Sequence, residues 1–419
     1  MSEEKKNNTI GIIAEYNPFH YGHEFLIRKA KELSGAEHVI VVMSGDFVQR
    51  GEPAVFSKFL RAKMAVSCGA DAAIILPVMY STGSAEYFAR AGISILDKLG
   101  VPAVCFGSEC GEMQPLYDIA RALSVEPAKY QTILQSFLRE GESFPSARVR
   151  ALEVCADEMG LKIQDPAEVM SKPNNILAIE YLKAIIRSGS TMDAYTIRRM
   201  GKGYHETELS GQAFSSATGL RREVKENGDI GNYIPPVCMQ IFGDHPVYSK
   251  PLFLNDFSDL LEMAIHRSRD LTAYVDVNEE IANTIRNNSG VFHTFEDWVA
   301  ILTSKTYPAG RARRCLIHIL LDLTKEDLTY WSLHGDTPYA KVLAVNPEAA
   351  NILATNEEDE DFRIITRNAD EKKLSPEAAA LRELDHRAYD LWRLVYQRKY
   401  NITLPTDLEQ PVLTPTVHQ

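Results

Sequence analysis

The chain has 419 residues, 45% of them apolar and 24% charged, which are the proportions of a folded globular protein and exclude a disordered or membrane-embedded one. Its length suits two domains, each with its own core. A net charge of −12 excludes broad nucleic-acid binding, so any RNA contact has to be local.

The opening MSEEKKNNT is polar, with no apolar run before the first strand. It predicts neither a signal peptide nor a membrane anchor, and a cytoplasmic location is expected. Ile10, Gly11, Ile12 and Ile13 then read as a short buried strand of a parallel sheet. Asn17 and Pro18 end it. From about His20 the spacing turns helical, with Phe25, Leu26, Ala30 and Leu33 on one face and Lys29, Lys31 and Glu32 on the other. The turn between carries His20-Tyr21-Gly22-His23, two imidazoles three residues apart at a helix start, where unpaired N–H groups and the positive end of the dipole face outward. This is a candidate anion site, and Gly22 admits a phosphate close to the backbone. A metal pair and a structural cap are the competing readings. Zinc needs three or four ligands and the sequence offers no companion cluster, so no metal ligand is assigned. The six cysteines (Cys68, Cys105, Cys110, Cys155, Cys238 and Cys315) lack paired spacing and are expected to be reduced and structural.

His38 to Met43 is the second predicted strand, ending in Ser44-Gly45-Asp46. Alternation of strand and helix predicts right-handed crossovers, a parallel sheet and ligands outside the strands' carboxyl ends, with His20 and Ser44 on one edge. An exposed loop, Gln49-Arg50-Gly51-Glu52-Pro53, precedes a helix through Met64. Ala72 to Leu76 is a third strand, Ser84 to Leu99 a helix, and Ala103 to Phe106 a fourth strand closed by Gly107-Ser108-Glu109. Gly107 either lets an adenine or ribose sit against the backbone or simply makes the turn. Asn174 and Asn175 sit about the start of the apolar-periodic run Ile176 to Ile185, where one caps the helix and the other is available to a nucleotide. Tyr195 to Ile197 is a strand closed by Arg198-Arg199, whose planar forks suit phosphate. Ser215-Ser216-Ala217-Thr218-Gly219-Leu220-Arg221 puts hydroxyls at a helix N-terminus with an arginine one turn in.

From Phe253 onward the pattern is mainly helical: Asp256 to Arg267, Asn278 to Arg286, Thr294 to Thr303, Ala312 to Leu323, Pro338 to Leu343 and Pro376 to Tyr400. The strand signal there is limited to Arg363 to Thr366, after the acidic stretch 357–361. Basic groups at Lys58, Arg61 and Lys63, at Arg198, Arg199 and Lys202, at Arg221 and Arg222, and at Lys305, Arg311, Arg313 and Arg314 each read by default as solvated helix faces.

The HxGH turn after an apolar strand resembles the signature of the nucleotidyltransferase superfamily, and SSATGLR resembles its second signature, ISSTxIR. The run EYNPFHYGH with SGDFVQRGEPA, GADAAIILP, SAEYFA, FGSE, SKPNNILAIEYLKAI and SSATGLR is similar to the tRNA(Met) cytidine acetate ligase family, in order from residue 10 to about 225. YAKVLAVN at Tyr339 to Asn346 continues it. The chain departs from that family at Ile75, where an acidic residue is usual, and at Gly83, where glutamine is. The resemblance implies an α/β fold: an N-terminal Rossmann-like parallel-sheet nucleotidyltransferase domain (1–235) for ATP, followed by a mainly helical C-terminal region (236–419) that contacts tRNA. It implies a ligase that activates acetate with ATP and acetylates N4 of the wobble cytidine of elongator tRNA(Met); magnesium is expected to accompany ATP, and no protein partner is predicted. His20 and His23 would be catalytic. The nucleotide-contacting positions would be Ile13, Ala14, Glu15, Tyr16, Asn17, Pro18, Phe19, His20, Tyr21, Gly22, His23, Glu24, Phe25, Leu26, Gly107, Asn174 and Arg199.

Two other functions compete: an adenylyltransferase acting on a phosphate-bearing small molecule, and a catalytically decayed nucleotide-binding RNA-contact protein. Intact His20, His23, Arg199 and Arg221 favour an enzyme. For tRNA, the expected surface is Arg50 close to the chemistry with Arg311, Arg313 and Arg314 farther out, so that neutralising Arg313 and Arg314 would leave acetyl-adenylate formation untouched.

Overall fold

The computed structural model describes residues 8–161, 165–199, 216–353 and 361–415. Lys202, Ser215 and residues 357–360 lie outside the described residues. The apolar run after Asn8 forms β1 (Thr9–Ala14), followed by α1 (Tyr21–Ser34) and β2 (His38–Ser44). A small hairpin, β3 (Phe47–Val48) and β4 (Glu52–Pro53), holds the QRGEP turn and leads into α2 (Lys58–Ser67). Then come β5 (Ala72–Leu76), α3 (Ala85–Lys98) and β6 (Ala103–Ser108). After several helices, α4 (Pro173–Ser188), β7 (Asp193–Arg198) and α5 (Ala217–Lys225) complete the N-terminal half.

The large sheet has seven strands in the order β7-β6-β1-β2-β5-β8-β9, where β8 is Tyr339–Val345 and β9 is Arg363–Ile365. β1 and β2 run parallel, with Ile13 opposite Val42 and Ala14 opposite Met43. The other pairings are parallel too, except β5 with β8. Ile10, Ile12, Val39 to Met43 and Ala72 to Leu76 are all buried, as strands covered on both faces must be, which is why each reads as an unbroken apolar run.

Two expectations fail here. Pro338 to Leu343 is no helix: Tyr339–Val345 is a sheet strand buried along nearly its whole length. A short apolar run carries no decisive periodicity, and pairing with β5 decided the outcome. The basic group at Lys58 and Arg61 is no solvated face either, since both side chains are fully buried. Lys58 Nζ lies 3.0 Å from Asp46 and 2.7 Å from Asp407, and its charge sits 4.2 Å from the Tyr389 ring centre.

The boundary expected at residue 235 falls between strands of a single sheet, because β8 and β9 extend the edge begun by β1, β2 and β5. The long helix α7, spanning Pro376–Tyr400 after α6 (Ala309–Leu321), also packs on the N-terminal half. Trp392 Nε1 donates to the Ala54 carbonyl at 3.0 Å, and Asp385 accepts from Val78 N–H and from the Tyr339 hydroxyl. Arg382 on the same helix pairs with Asp407, Asp385 and Glu371, so the acid that holds Lys58 is itself held from the C-terminal helix.

Candidate active site

Leaving β1, the chain builds β2 and β5 on one side of it, then returns to place β6 and β7 on the other. The crevice outside the carboxyl ends of β1 and β6 is therefore the topological switch point, where open α/β sheets receive ligands. The HxGH turn follows β1, Gly107 to Glu109 end β6, and Arg199 follows β7. The order of the strands brings these three distant stretches to one edge.

Arg61 fixes the floor of this edge. Its Nη1 donates to the carbonyls of Glu15 at 2.7 Å and Ser44 at 3.0 Å, its Nη2 to Gly45 and its Nε to Phe56 at 3.0 Å. One guanidinium thus ties the end of β1 to the end of β2, which puts the histidine turn and Ser44 on the shared edge the sequence predicted. Burial lowers its pKa to about 10, so it remains a cation at neutral pH. Sequence reading missed this role because the counter-groups are backbone carbonyls from three separate loops.

His20 is the N-cap of α1, and its Nδ1 accepts the Gly22 N–H at 3.0 Å. His23 reaches back, its Nδ1 accepting the His20 N–H at 3.2 Å. This reciprocal capping box fixes the tautomers: with each Nδ1 accepting, the proton of each neutral ring sits on Nε2. The rings stack at 3.8 Å between centres, and Tyr16 meets His23 edge-on at 4.8 Å. His20 is 6% exposed, and its Nε2 has no hydrogen-bond partner among the described residues. Burial, reinforced by the Arg199 charge, drives its pKa down to about 3, while burial, His20 and Arg199 hold His23 well below its usual value. The cap reading and the anion reading are thus not exclusive: the Nδ1 atoms cap, leaving the Nε2–H groups as donors.

The remaining predicted positions divide by exposure. Ile13, Tyr16, Asn17, Pro18, Phe19 and Tyr21 are buried, while Ala14, Glu15, Gly22, Glu24, Phe25 and Leu26 are partly open. Tyr16 and Phe19 are fully buried and pack against each other at 5.0 Å, so any nucleotide contact from them comes through the backbone. Asn17 Oδ1 accepts from Val55 N–H at 2.8 Å, and its Nδ2 has no partner among the described residues. At Gly107 an added Cβ would lie 2.9 Å from Arg199 Cγ, so the glycine is needed because the arginine stem crosses it. The Arg199 N–H donates to the Ser108 carbonyl at 2.8 Å.

The asparagine expectation needs correcting. Asn174 and Asn175 lie inside the first turn of α4, and neither caps it. Glu109, from the end of β6, caps instead: its Oε1 accepts from Asn174 N–H and Nδ2, and its Oε2 from Asn175 N–H at 2.8 Å. Asn175 Oδ1 in return accepts from the Glu109 and Cys110 N–H groups. A carboxylate at the helix N-terminus satisfies both the dipole and the free donors.

Ser216 caps α5, its Oγ accepting from Gly219 N–H at 3.2 Å. Arg221 turns toward the histidine loop, donating to the Asn17 carbonyl at 3.0 Å and to Thr218 Oγ1 at 3.2 Å, and its Nε lies 3.2 Å from Glu52. The two signatures therefore touch. Around them Arg50 pairs with Glu15 at 3.5 Å, Arg313 with Glu52 at 3.0 Å and Arg314 with Asp276 at 3.2 Å, while Arg311 lies over the Tyr307 ring at 4.2 Å. Arg313 is not the outlying residue expected, because it grips the same carboxylate as Arg221. Among the described residues, no group of three His, Cys, Asp or Glu side chains is arranged to hold a metal ion, and no helix is long and apolar enough to cross a membrane.

Comparison with known proteins bears on the family and the fold. Residues 7–406 match the family model described as HIGH Nucleotidyl Transferase. A tRNA(Met) cytidine acetate ligase of Caldicellulosiruptor saccharolyticus is 36% identical over 409 residues, covering 97% of this chain and 98% of that one. A protein of the same name from Thermoanaerobacter sp. is 36% identical over 93% of this chain and 95% of its own. The crystal structure of Thermotoga maritima TmcAL bound with alpha-thio ATP superposes with a TM-score of 0.88 at 28% identity, covering 98% of this chain and all of the other.

Proposed function

The chain belongs to the tRNA(Met) cytidine acetate ligase family of HIGH nucleotidyltransferases, and from that premise we propose that it activates acetate with ATP and acetylates the wobble cytidine of elongator tRNA(Met). In the first step an acetate oxygen attacks the α-phosphorus; the new P–O bond forms as the bond to the β-phosphate oxygen breaks, and pyrophosphate leaves. In the second, N4 of cytidine attacks the carbonyl carbon of acetyl-adenylate, AMP departs and one proton is lost from the amine. A free carboxylate is too poor an electrophile for the second step without the first.

The observation that carries this reading is the pair of neutral imidazoles at the switch point, whose capping bonds turn both Nε2–H groups into donors. Donors held in place beforehand stabilise negative charge as it moves onto the departing pyrophosphate, without reorganising during the reaction. Arg199 and Arg221 flank them as further phosphate partners, and Gly107 with the backbone of the HxGH turn would receive the nucleoside. Magnesium would accompany ATP and supply neutralising charge to its phosphates. Incubating the protein with ATP, labelled acetate and total tRNA should place label on tRNA, and omitting tRNA should still release pyrophosphate. Acetylation from acetyl-coenzyme A without ATP, or a dinucleotide product, would refute the proposal.

A further inference from the structure

The QRGEP turn has no part in the steps above, yet it is the meeting point of three elements. Gly51, with φ at +73°, lies so close to α6 that a Cβ there would sit 2.5 Å from Arg314 N and 2.7 Å from the Arg313 carbonyl carbon. Both its conformation and its contact demand glycine. The turn is thereby mounted on the helix backbone, and the next residue, Glu52, divides its carboxylate between two cations: Oε1 is 3.0 Å from Arg313 Nη1 and Oε2 is 3.2 Å from Arg221 Nε. Side-chain exposure falls along this row, from 31% at Arg313 to 17% at Glu52 and 11% at Arg221. The inner end is therefore where the ion pair is least screened.

Arg221 is held on three sides. Glu52 forms an ion pair with Nε at 3.2 Å, the Asn17 carbonyl takes one Nη1 proton and Thr218 takes one Nη2 proton. Among the described residues, each terminal nitrogen therefore keeps one N–H without a partner, beside the loop that carries His20 and His23. Two N–H groups on one rigid fork match two oxygens of a phosphate. We infer that Glu52 is the positioning residue for the polyphosphate tail of the nucleotide: it sets the angle of the Arg221 fork and is itself set by Arg313. The row Arg313, Glu52, Arg221 and Asn17 carbonyl runs unbroken from the outer helix to the histidine turn. Arg313 thus acts on nucleotide binding without touching the nucleotide, and neutralising it affects a step in which tRNA has no part.

This inference rests on the reading of the crevice as an ATP site, and its test is kept independent of acetate. ATP and AMP binding to the full chain are measured by calorimetry for the wild type, Glu52→Gln, Arg313→Gln and the double variant. Glu52→Gln should weaken ATP by about tenfold, the scale of one charge-assisted hydrogen bond, while AMP, which lacks the β- and γ-phosphates, changes by less than about twofold. Arg313→Gln should weaken ATP selectively and by a smaller factor, Arg313→Lys should restore it, and the double variant should be no worse than Glu52→Gln alone. Equal losses for ATP and AMP, or losses in the two single variants that multiply in the double, would overturn the inference. Should Glu52→Gln fold poorly, the Arg313→Gln and Arg313→Lys pair decides by the same ATP-to-AMP comparison. A wild type that binds ATP but shows no acetate-dependent pyrophosphate exchange would refute the ligase reading and leave this comparison able to decide the role of Glu52.

Discussion

A folded His20 that stays neutral makes the protein acid-sensitive by a definite amount. Its imidazole has a pKa of about 3 in the folded chain and would return to about 6.5 on unfolding. Between those values the unfolded state binds a proton that the folded state refuses, so stability rises with pH and is lost as pH falls below about 6.5. At about pH 5 the unfolded imidazole is almost fully charged and the linkage cost is about 2 kcal/mol; at about pH 7 it is about 0.2 kcal/mol. His20→Asn isolates the term. Asparagine remains a competent N-cap for α1 and has no proton to gain, and although it relieves His23 of the share His20 contributes, burial, the larger cause, still holds that imidazole low in both proteins. Urea unfolding of both proteins at several pH values between about 7 and 5 gives two curves of stability. The wild type should lose about 2 kcal/mol more than the variant across that range. Curves that run parallel would mean that His20 titrates normally in the fold, and the assignment of Nε2–H as a neutral donor would fall with it.

His23→Ala should lower kcat for acetate-dependent pyrophosphate release by about 10² to 10³, the usual loss for one donor to a developing anion; a variant retaining more than a tenth of the activity would contradict the role. Lys58→Met removes the cation shared by Asp46 and Asp407, leaving Asp407 to Arg382 and His386, and should cost about 3 to 5 kcal/mol in urea unfolding, whereas a loss below about 1 kcal/mol would show the buried network to be dispensable. Arg311→Ala, which touches Tyr307 and not Glu52, should weaken tRNA binding and reduce the log–log salt slope by about 0.9 with acetyl-adenylate formation intact; an unchanged slope would return Arg311 to an ordinary helix face.

What the sequence disclosed and what it hid follow from how far apart the determinants lie. The unit β1, turn and α1 was legible because an apolar run, a breaking Asn17-Pro18 and a helical stripe are all local signals. Arg199 was favoured over Arg198 only on the resemblance, and the structure adds the reason that its stem crosses Gly107 and its charge reaches both histidines. Three features were not legible. Glu109 caps α4 from another strand, whereas a local reading looks for the cap beside the helix. Lys58 is buried because Asp407, near the far end of the chain, meets it. The strand β8 looked helical because burial on both faces erases the alternation that marks a strand. Each time the missing information was a partner distant in sequence.

The protonation state of the histidines also divides the labour between the two chemical steps. Acetate attacks phosphorus as an anion and pyrophosphate leaves as an anion, so adenylation moves charge but requires no proton transfer. Neutral donors suit that step, and the nearby arginines are already partnered: Arg50 by Glu15, Arg221 and Arg313 by Glu52, Arg314 by Asp276. A charged imidazole added among them would be opposed by burial and by Arg199, which is why the pKa of His20 falls. Acyl transfer differs, because the cytidine amine must lose a proton once its nitrogen is acylated. An imidazole whose conjugate acid has a pKa of about 3 is a feeble base, and its Nδ1 is already engaged by a backbone N–H. The histidine pair that serves the first step is therefore unsuited to take the proton of the second, which has to leave by a route other than these imidazoles.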